Sequence, residues 1–526
     1  VEILDAKELW GLGTYETTKI LRRIHGRDTR VISIGQAGEN LSRIAVLQTE
    51  TENAAGQGGF GGVMGSKKLK AIAVRGTGGV KIAKPRRFLE ICLSQSREGL
   101  RPCKPGSNPR WPTDRPLYGK NEEYGTEFRS HKCGFCSSAC AETVHMDVPG
   151  KVFPRLYTTS CLCYGYFLPL QAHVEARYLT SDWGINGWEV SYGIIPWLQL
   201  CKQHGLIKEI DGMEIPAPEK PIRYLRDCAR CPPEFIVTLL RKIVFREGEI
   251  GDALAEGACY AADRLFDGKG KPLLDRIYPR RCGQVAHFAG HWGPGGEIHF
   301  PWWLPPILQW CVDTRDPASD TTHSWTTHAA RYFTKNGPHR GPYPLEKVRA
   351  VCEKVYGDPR VGDPAFDYDP PEVKAIPAIW HTDRGMVVDS LILCDWEHPR
   401  VFSMFSEDGS ADTALMAKLF SACTGIETSE KELHKAGERI FNLLRAIDIR
   451  NHNRDRKEDE KTVDYFMYPG KDDGVMLDKE KFLKILDKYY ELRGWSKTSG
   501  WPTRTKLEEL GLKNVADELE SIGKIG

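Results

Sequence analysis

The chain has 526 residues, enough for several domains with sizeable cores, and its composition is that of an ordinary globular protein, 40% hydrophobic and 27% charged. Lysine and arginine total 73 against 71 acidic residues, so a net charge of +2 leaves no bulk field directed at nucleic acid or an anionic membrane. No apolar run reaches the roughly eighteen residues that a membrane helix needs, and the first residues given do not read as a signal peptide.

Val1–Leu4 has the composition of a strand, and Thr14–Arg23 reads as a helix with a threonine-rich entry. Because Val1 is not an initiating methionine, we expect residues before it in the full protein. Val31–Ile34 is a short apolar strand, followed by a crowd of small residues: Gly56, Gly58, Gly59, Gly61, Gly62 and Gly65. Lys67, Lys68 and Lys70 lead into a second strand, Ala71–Val74. Glycines let backbone N–H groups come close to a ligand and the flanking cations favour phosphate, so phosphate or pterin contact is preferred over a plain flexible loop. The pattern is neither a Walker A motif nor a dinucleotide fingerprint.

Lys84-Pro85 marks a boundary, and the Pro-rich basic stretch Arg101–Trp111 reads as a surface loop. It leads to HKCGFCSSAC, in which Cys133, Cys136 and Cys140 form C-x2-C-x3-C. Three thiols at this spacing can converge on one zinc or iron–sulfur centre, with a fourth ligand from elsewhere. Buried reduced thiols are the bland alternative, but they have no reason to cluster. With 16 Cys in so long a chain, clustered spacing speaks for cofactor ligation in a reducing compartment, not for a disulfide scaffold. The 14 Trp suit bulky cofactor walls or, equally well, core packing.

Val174–Leu200 and Phe235–Phe266 carry apolar residues at helical spacing. Cys228-x2-Cys231 stands alone, and a zinc half-site, a redox pair and two incidental cysteines all stay open. Gly283–Trp325 is irregular, with His287, His291, His299 and His323, as segments that line a site often are. Beyond Pro370 the chain reads as helical, and Leu433, Ala436, Ile440, Leu443, Leu444 and Ile447 form one apolar face. The charged run Asn451–Lys461 is most simply a solvated face or loop.

Four segments now fall in one family's order. IGQAGENLSRIAV followed by AAGQGGFGGVMGSKKLKAIAVRG, the C-x2-C-x3-C cluster, DSLILCD (Asp389–Asp395) and YYELRGWSKTSGWPTRTKLEELGL resemble the motifs of the tungsten-containing aldehyde ferredoxin oxidoreductases. The tungsten subunit of class II benzoyl-CoA reductases is a relative of that family. The resemblance implies an α+β fold: the end of a β-rich pterin-binding domain (1–83) followed by two mainly helical domains (84–295 and 296–526). It implies a tungsten or molybdenum bis-pyranopterin, Mg2+ bridging the pterin phosphates, and a [4Fe–4S] cluster on Cys133, Cys136, Cys140 and Cys394. Asn53, Ala54, Gly56 and Gln57 would meet the phosphates and magnesium. Ser181, Ile185 and Asn186 match one pterin motif, DxxGLD, while Asp389, Leu393 and Asp395 match the other. His323 takes the place of the family's active-site histidine, a general acid or base, with a hydrogen-bonded structural role as its alternative.

The departures are specific. Asn53 and Gln57 stand where the family has arginine, Ser181 and Asn186 where it has aspartate, and Ile392 where it has glycine. The expected upstream glutamate is replaced by a neighbourhood of Cys161, Cys163, His173 and Glu175, and Cys161 is a candidate tungsten ligand. The implied reaction is aldehyde plus water to carboxylate or the reverse, in an anaerobic cytoplasm. Electrons would pass to ferredoxin or an iron–sulfur subunit, and the chain would work as an oligomer or complex subunit. Ring reduction of an aromatic acyl-CoA is one alternative, a cofactor-poor electron-transfer or scaffold subunit a second, and a plain zinc protein the last.

Overall fold

The computed structural model describes residues 1–49, 54–56, 58–98, 118–121, 126–131, 141–146, 156–158, 170–222, 227–275, 304–313, 343–394, 398–403, 406–467 and 476–526. The chain divides into two compact units. The first comprises Val1–Gly79, Cys103–Tyr278 and Val285–Gly290, the second Val80–Pro102, Pro279–Gln284 and His291–Gly526.

In the first unit, helix α1 (Thr14–His25) closes with Arg22, Arg23 and His25 in its last turn, where cations complement the helix dipole. Its Leu21 packs with Leu9 and Val31. Strand β1 (Arg30–Ser33) is followed by the short helix α2 (Gln36–Glu39), β2 (Leu47–Thr49), β3 (Ala54–Ala55), helix α3 (Phe60–Ser66) and β4 (Ala71–Val74). They build an antiparallel sheet in the order β3-β2-β1-β4, with Ser33 opposite both Gln48 and Ala71. The strand expected at Val1–Leu4 does not form. Residues 1–6 carry no regular structure and Val1, Ile3 and Leu4 are exposed, since apolar character without a partner ladder makes no strand.

Helix α4 (Pro85–Glu98) belongs to the second unit. Back in the first, β5 (Tyr118–Asn121), β6 (Thr126–His131), β7 (Ala141–Met146) and β8 (Leu156–Thr158) form an antiparallel meander. Helices α5 (Leu170–Trp183) and α6 (Ile195–Gln203) follow, then the hairpin β9 (Glu209–Ile210) and β10 (Met213–Glu214). Helices α7 (Pro233–Phe245), α8 (Gly248–Ala255), α9 (Ala258–Arg264) and α10 (Lys271–Asp275) complete the series. The periodicity of Val174–Leu200 runs through two helices and a π-helical turn, Glu189–Ile194, because Gly184 turns left-handed between them. Phe235–Phe266 is broken likewise at Arg246 and Gly257, both at positive φ. The core gathers Trp197, Leu198, Ile236, Leu239 and Ile243, all essentially without solvent exposure, and the Trp197 indole donates to the Gly270 carbonyl at 2.8 Å.

The longer regular elements described in the second unit are helices: α4, α11 (Leu304–Val312), α12 (Leu345–Tyr356), α13 (Glu372–Ser390), α14 (Leu415–Thr424), α15 (Glu430–His452), α16 (Arg456–Tyr465), α17 (Lys479–Arg493), α18 (Arg504–Glu509) and α19 (Lys513–Ser521). Helix α13 is its axis and packs against α11, α12, α15 and α17. Ser429 and Glu432 open α15 with a reciprocal capping box.

The charged run Asn451–Lys461 is not a solvated face. Asp455 caps α16, while Arg454 and Asp459 are buried. Asp459 receives Arg445 at 2.9 and 2.8 Å, Arg454 at 3.0 Å and the Tyr490 hydroxyl at 2.7 Å. Arg454 also donates to Asp448 and to the Cys311 carbonyl, tying α11 to this network. Burial works to raise the Asp459 carboxyl, but the two guanidiniums outweigh it and hold it below its usual range. A run of mixed sign can neutralise itself in the core, which charge density alone does not reveal.

Candidate cofactor site

The segments SDWGIN and DSLILCD turn out to be the same piece of backbone engineering, one in each unit. At the end of α5, the Ile185 N–H bonds the Thr180 carbonyl (3.0 Å) and the Gly184 N–H bonds the Ser181 carbonyl (3.3 Å). At the end of α13, the Leu393 N–H bonds the Val388 carbonyl (2.9 Å) and the Ile392 N–H bonds the Asp389 carbonyl (3.2 Å). Both are Schellman caps, in which the last turn is closed by a residue in the left-handed region. Gly184 (φ +70°) and Ile392 (φ +56°) fill that place. Ser181 therefore corresponds to Asp389, Ile185 to Leu393 and Asn186 to Cys394. The hydrophobic contact that accompanies such caps is present in both: Ile185 is buried in the first unit's core, and Leu393 packs in a cluster with Val388. These two side chains are turned inward, so they can serve a ligand only through their main chain.

The remaining cap residues differ in exposure. Ser181 is buried, and its Oγ has no hydrogen-bond partner among the described residues. The Asn186 side-chain oxygen accepts the N–H groups of Trp188 (3.1 Å) and Glu189 (3.3 Å), which commits it to starting the π-helical turn. An amide does this as well as a carboxylate, so only its NH2 can face a ligand. Asp389 and Cys394 are exposed, and the Cys394 carbonyl accepts the His398 N–H at 2.9 Å.

The first cap is seated by the glycine-rich region. Val46 N–H bonds the Gly184 carbonyl (2.9 Å) and Asn186 N–H bonds the Ile44 carbonyl (2.8 Å). A Cβ on Gly65 would lie 1.9 Å from the Gly38 carbonyl oxygen, and one on Gly35 would lie 2.3 Å from the Trp183 carbonyl carbon. These glycines, with Gly59, Gly61 and Gly62, bring chain closely against chain, which by itself demands glycine at each position. Gly56 is different: nothing lies within 4 Å of where its Cβ would be. Ala54 is exposed on β3, opposite Gln48.

Sequence reasoning missed an electrostatic support beneath this cap. Glu39 and Lys70, quoted above as part of the signature, are a buried ion pair. Glu39 accepts the Gly11 N–H at 2.9 and 3.0 Å, and Lys70 also donates to the Leu12 carbonyl. Burial lowers the Lys70 ammonium while Glu39 resists the shift. Asp182, inside SDWGIN, accepts the Tyr15 N–H (3.1 Å) at the start of α1, and burial raises its carboxyl. Opposite charges within one motif were the available signal.

Several expected residues lie outside the described residues: Asn53, Gln57, Asp395, His323, Cys161, Cys163, Cys133, Cys136 and Cys140. The C-x2-C-x3-C segment is flanked by His131 and Ala141, which are cross-strand partners of β6 and β7. Cys228 and Cys231 sit in the first unit's core cluster. Burial pushes both thiols up to about 12, and the Gln199 amide pins their loop by bonds to Ala229. This fits two structural cysteines. Among the described residues no group of three His, Cys, Asp or Glu is placed to hold a metal. No helix among them is long and apolar enough to cross a membrane.

In the first unit, Ser181 offers a buried hydroxyl with no hydrogen-bond partner among the described residues and Gly56 an open approach to main chain, a donor set whose chemistry suits a pterin; in the second unit, Asp389 and Cys394 present an exposed carboxylate and thiol.

Comparison with known proteins places the chain in a family. Residues 98–512 match the family model "Aldehyde ferredoxin oxidoreductase, domains 2 & 3", and residues 1–76 match the N-terminal domain of that family. The chain is 27% identical over 547 residues to the tungsten-containing aldehyde ferredoxin oxidoreductase of Pyrococcus abyssi, covering 98% of this chain and 78% of that one. It is 41% identical over 91 residues, 15% of each chain, to the aliphatic sulfonate oxidoreductase WOR-like subunit of Pyrococcus furiosus. Among solved structures, the active site complex BamBC of benzoyl coenzyme A reductase with 1,5 dienoyl-CoA superposes with a TM-score of 0.72 at 22% identity, covering 100% of this chain and 80% of that chain. At that identity the likeness is one of fold. With a family model matched over most of its length, the chain belongs to the aldehyde ferredoxin oxidoreductase family.

Proposed function

We propose that this family member is a tungsten- or molybdenum-pterin oxidoreductase that converts aldehydes to carboxylates, RCHO + H2O → RCOO⁻ + 3H⁺ + 2e⁻, or runs the reverse. When bound, the metal–pterin group supplies the two-electron chemistry and a [4Fe–4S] cluster the one-electron outlet. Ser181 and Asn186 would hold pterin by neutral hydrogen bonds, and Asp389 by a charge-assisted one. Asn53, Ala54, Gly56 and Gln57 would meet its phosphates and Mg2+. Cys133, Cys136, Cys140 and Cys394 would ligate the cluster, and His323 would take up a proton at the reacting carbon. Ferredoxin or an iron–sulfur subunit would accept the electrons in an anaerobic cytoplasm. The observation that carries this reading is the pair of Schellman caps, which gives two motifs from different units one geometry and puts Asp389 and Cys394 on a single short segment.

A second reading, low-potential reduction of an aromatic ring carried as a CoA thioester with Cys161 or Cys163 on the metal, is favoured by these two thiols in the stretch where the family's glutamate is expected. Assay of aldehydes against aromatic CoA thioesters with a viologen dye separates the two. Turnover of aldehydes supports the first; activity confined to the thioesters overturns it in favour of the second. Loss of charge at Ser181 and Asn186 also fits a cofactor-poor electron-transfer subunit, which would contain iron without tungsten or molybdenum.

A further inference from the structure

Along α1 runs a groove of about 750 Å³, within the range of small-ligand sites. Lys19, Arg22, Arg23 and Arg27 line it, against the single carboxylate of Asp28. The whole chain carries a net charge of only +2, so four cations around one depression are a local concentration and not a sample of the average surface. Lys19 is partly satisfied by Glu16 at 3.2 Å, and the Arg22 Nε donates to the Arg27 carbonyl. Arg23 and Arg27 are exposed.

Two further observations give the groove polar capacity. Thr18 adds a hydroxyl-bearing side chain along the same helix, the Thr14 hydroxyl being committed to the Ser181 carbonyl at 2.9 Å, and Thr49 lines the groove from β2. Next to those positions, Thr17 Oγ1, Ser33 Oγ and Gln48 Nε2 are buried with no hydrogen-bond partner among the described residues. Ser33 stands opposite Gln48 and opposite Ala71, which packs with the α1 residue Leu21, so the layer between α1 and the sheet holds unused polar atoms.

We infer that the α1 groove is a phosphate-binding site, taking a ligand that bears a phosphate or diphosphate group. Guanidiniums pair with phosphate through two parallel N–H bonds, and an open groove lets several converge on one anion. The phosphate has two sources. It can belong to the pterin cofactor: Gln48, adjacent to Thr49, pairs with Ala54, and arginines are absent at the neighbouring positions 53 and 57, so α1 would provide the charge that Asn53 and Gln57 do not. This source rests on the function proposed above. It can instead belong to a free phosphorylated molecule, which does not.

Inorganic pyrophosphate is the probe, titrated calorimetrically at low salt into the full chain, both cofactor-loaded and isolated from a host unable to make the pterin. Arg23→Glu and Arg27→Glu test the groove at exposed positions, with circular dichroism checking that each variant is folded, and Lys208→Glu reverses an exposed charge elsewhere in the same unit. Cofactor-depleted wild type should bind pyrophosphate, each groove variant should bind about tenfold more weakly, and Lys208→Glu should match wild type. If the phosphate is the cofactor's, loading abolishes pyrophosphate binding and the groove variants retain less pterin on purification. If it is a free ligand's, the loaded protein binds pyrophosphate equally and pterin content is unchanged. Binding by the depleted protein stands whether or not the redox reading survives. Pyrophosphate affinity that is unchanged in both groove variants, or no binding by depleted wild type at low salt, overturns the inference.

Discussion

Gly184 and Ile392 occupy one and the same position in two helix caps of matching hydrogen-bond pattern, at φ +70° and +56°. One is the residue type that costs nothing there; the other is β-branched and 92% exposed. The Ile392 side chain has no packing to offset its backbone strain, so its presence at the cap is a local conflict between residue and conformation.

That conflict predicts an asymmetric pair of substitutions. Ile392→Gly should stabilise the protein by about 1 kcal/mol, the left-handed penalty relieved less the extra entropy of an unfolded glycine. Gly184→Ala should destabilise it by roughly 2–3 kcal/mol, because the new Cβ would meet the Gly35 backbone nitrogen at 2.8 Å as well as a positive φ. Urea unfolding of the two variants checks both signs.

The glycine-rich region should split into two classes. Gly65→Ala drives a methyl into the Gly38 carbonyl and should lower stability by about 3 kcal/mol or prevent folding. Gly56→Ala meets open space and should leave the thermal midpoint within a degree or two, while lowering the pterin that copurifies. Thermal unfolding together with pterin fluorescence after oxidative release reads both outcomes.

The contrast shows what was legible in the sequence. Strand β4 and helix α1 were legible as elements, although β4 leaves three of its four residues exposed and α1 turns Thr14, Thr17, Thr18 and Leu21 inward. The two cap motifs were legible as motifs, but not as one shared geometry: Ile392 hides the glycine that would have signalled a left-handed turn. The glycine crowd looked like a ligand loop because a close approach to a ligand and a close approach to another stretch of backbone demand the same residue. Glu39, Lys70, Arg454 and Asp459 escaped because their partners lie far away in the chain or were taken for a solvated run, and only the fold brings opposite charges together.

The buried network of the second unit should be intolerant of losing its anion. Asp459→Asn leaves Arg445 and Arg454 buried against a neutral amide and should cost about 3–5 kcal/mol, whereas Lys457→Ala on the same helix, at an exposed position, should change stability by less than about 0.5 kcal/mol. Parallel chemical denaturation of the two variants measures the difference.

Lys374 gives a pH-dependent prediction. Burial pushes its ammonium from the ordinary 10.5 down to about 8, against the pull of Asp367, Cys352 and Asp363. Below pH 8 both folded and unfolded chains carry the proton, and the fold bears the full desolvation penalty. Between pH 8 and 10.5 the folded chain releases it first, so this group's contribution makes stability rise with pH. Above 10.5 neither state holds it. Lys374→Met should therefore stabilise the protein by roughly 3 kcal/mol at neutral pH, and the advantage should fade as pH rises through that window. Paired denaturation curves of wild type and variant across pH 7 to about 11 test this.

The most direct test of the redox assignment is elemental and spectroscopic analysis of anaerobically purified wild type beside Cys394→Ser. Wild type should contain tungsten or molybdenum together with iron and acid-labile sulfide in the ratio of a [4Fe–4S] cluster, and its reduced form should give the cluster's electron paramagnetic resonance signal. Cys394→Ser should lose or markedly alter that signal. Wild type free of iron, or a Cys394→Ser protein with an unaltered cluster signal, would contradict the account.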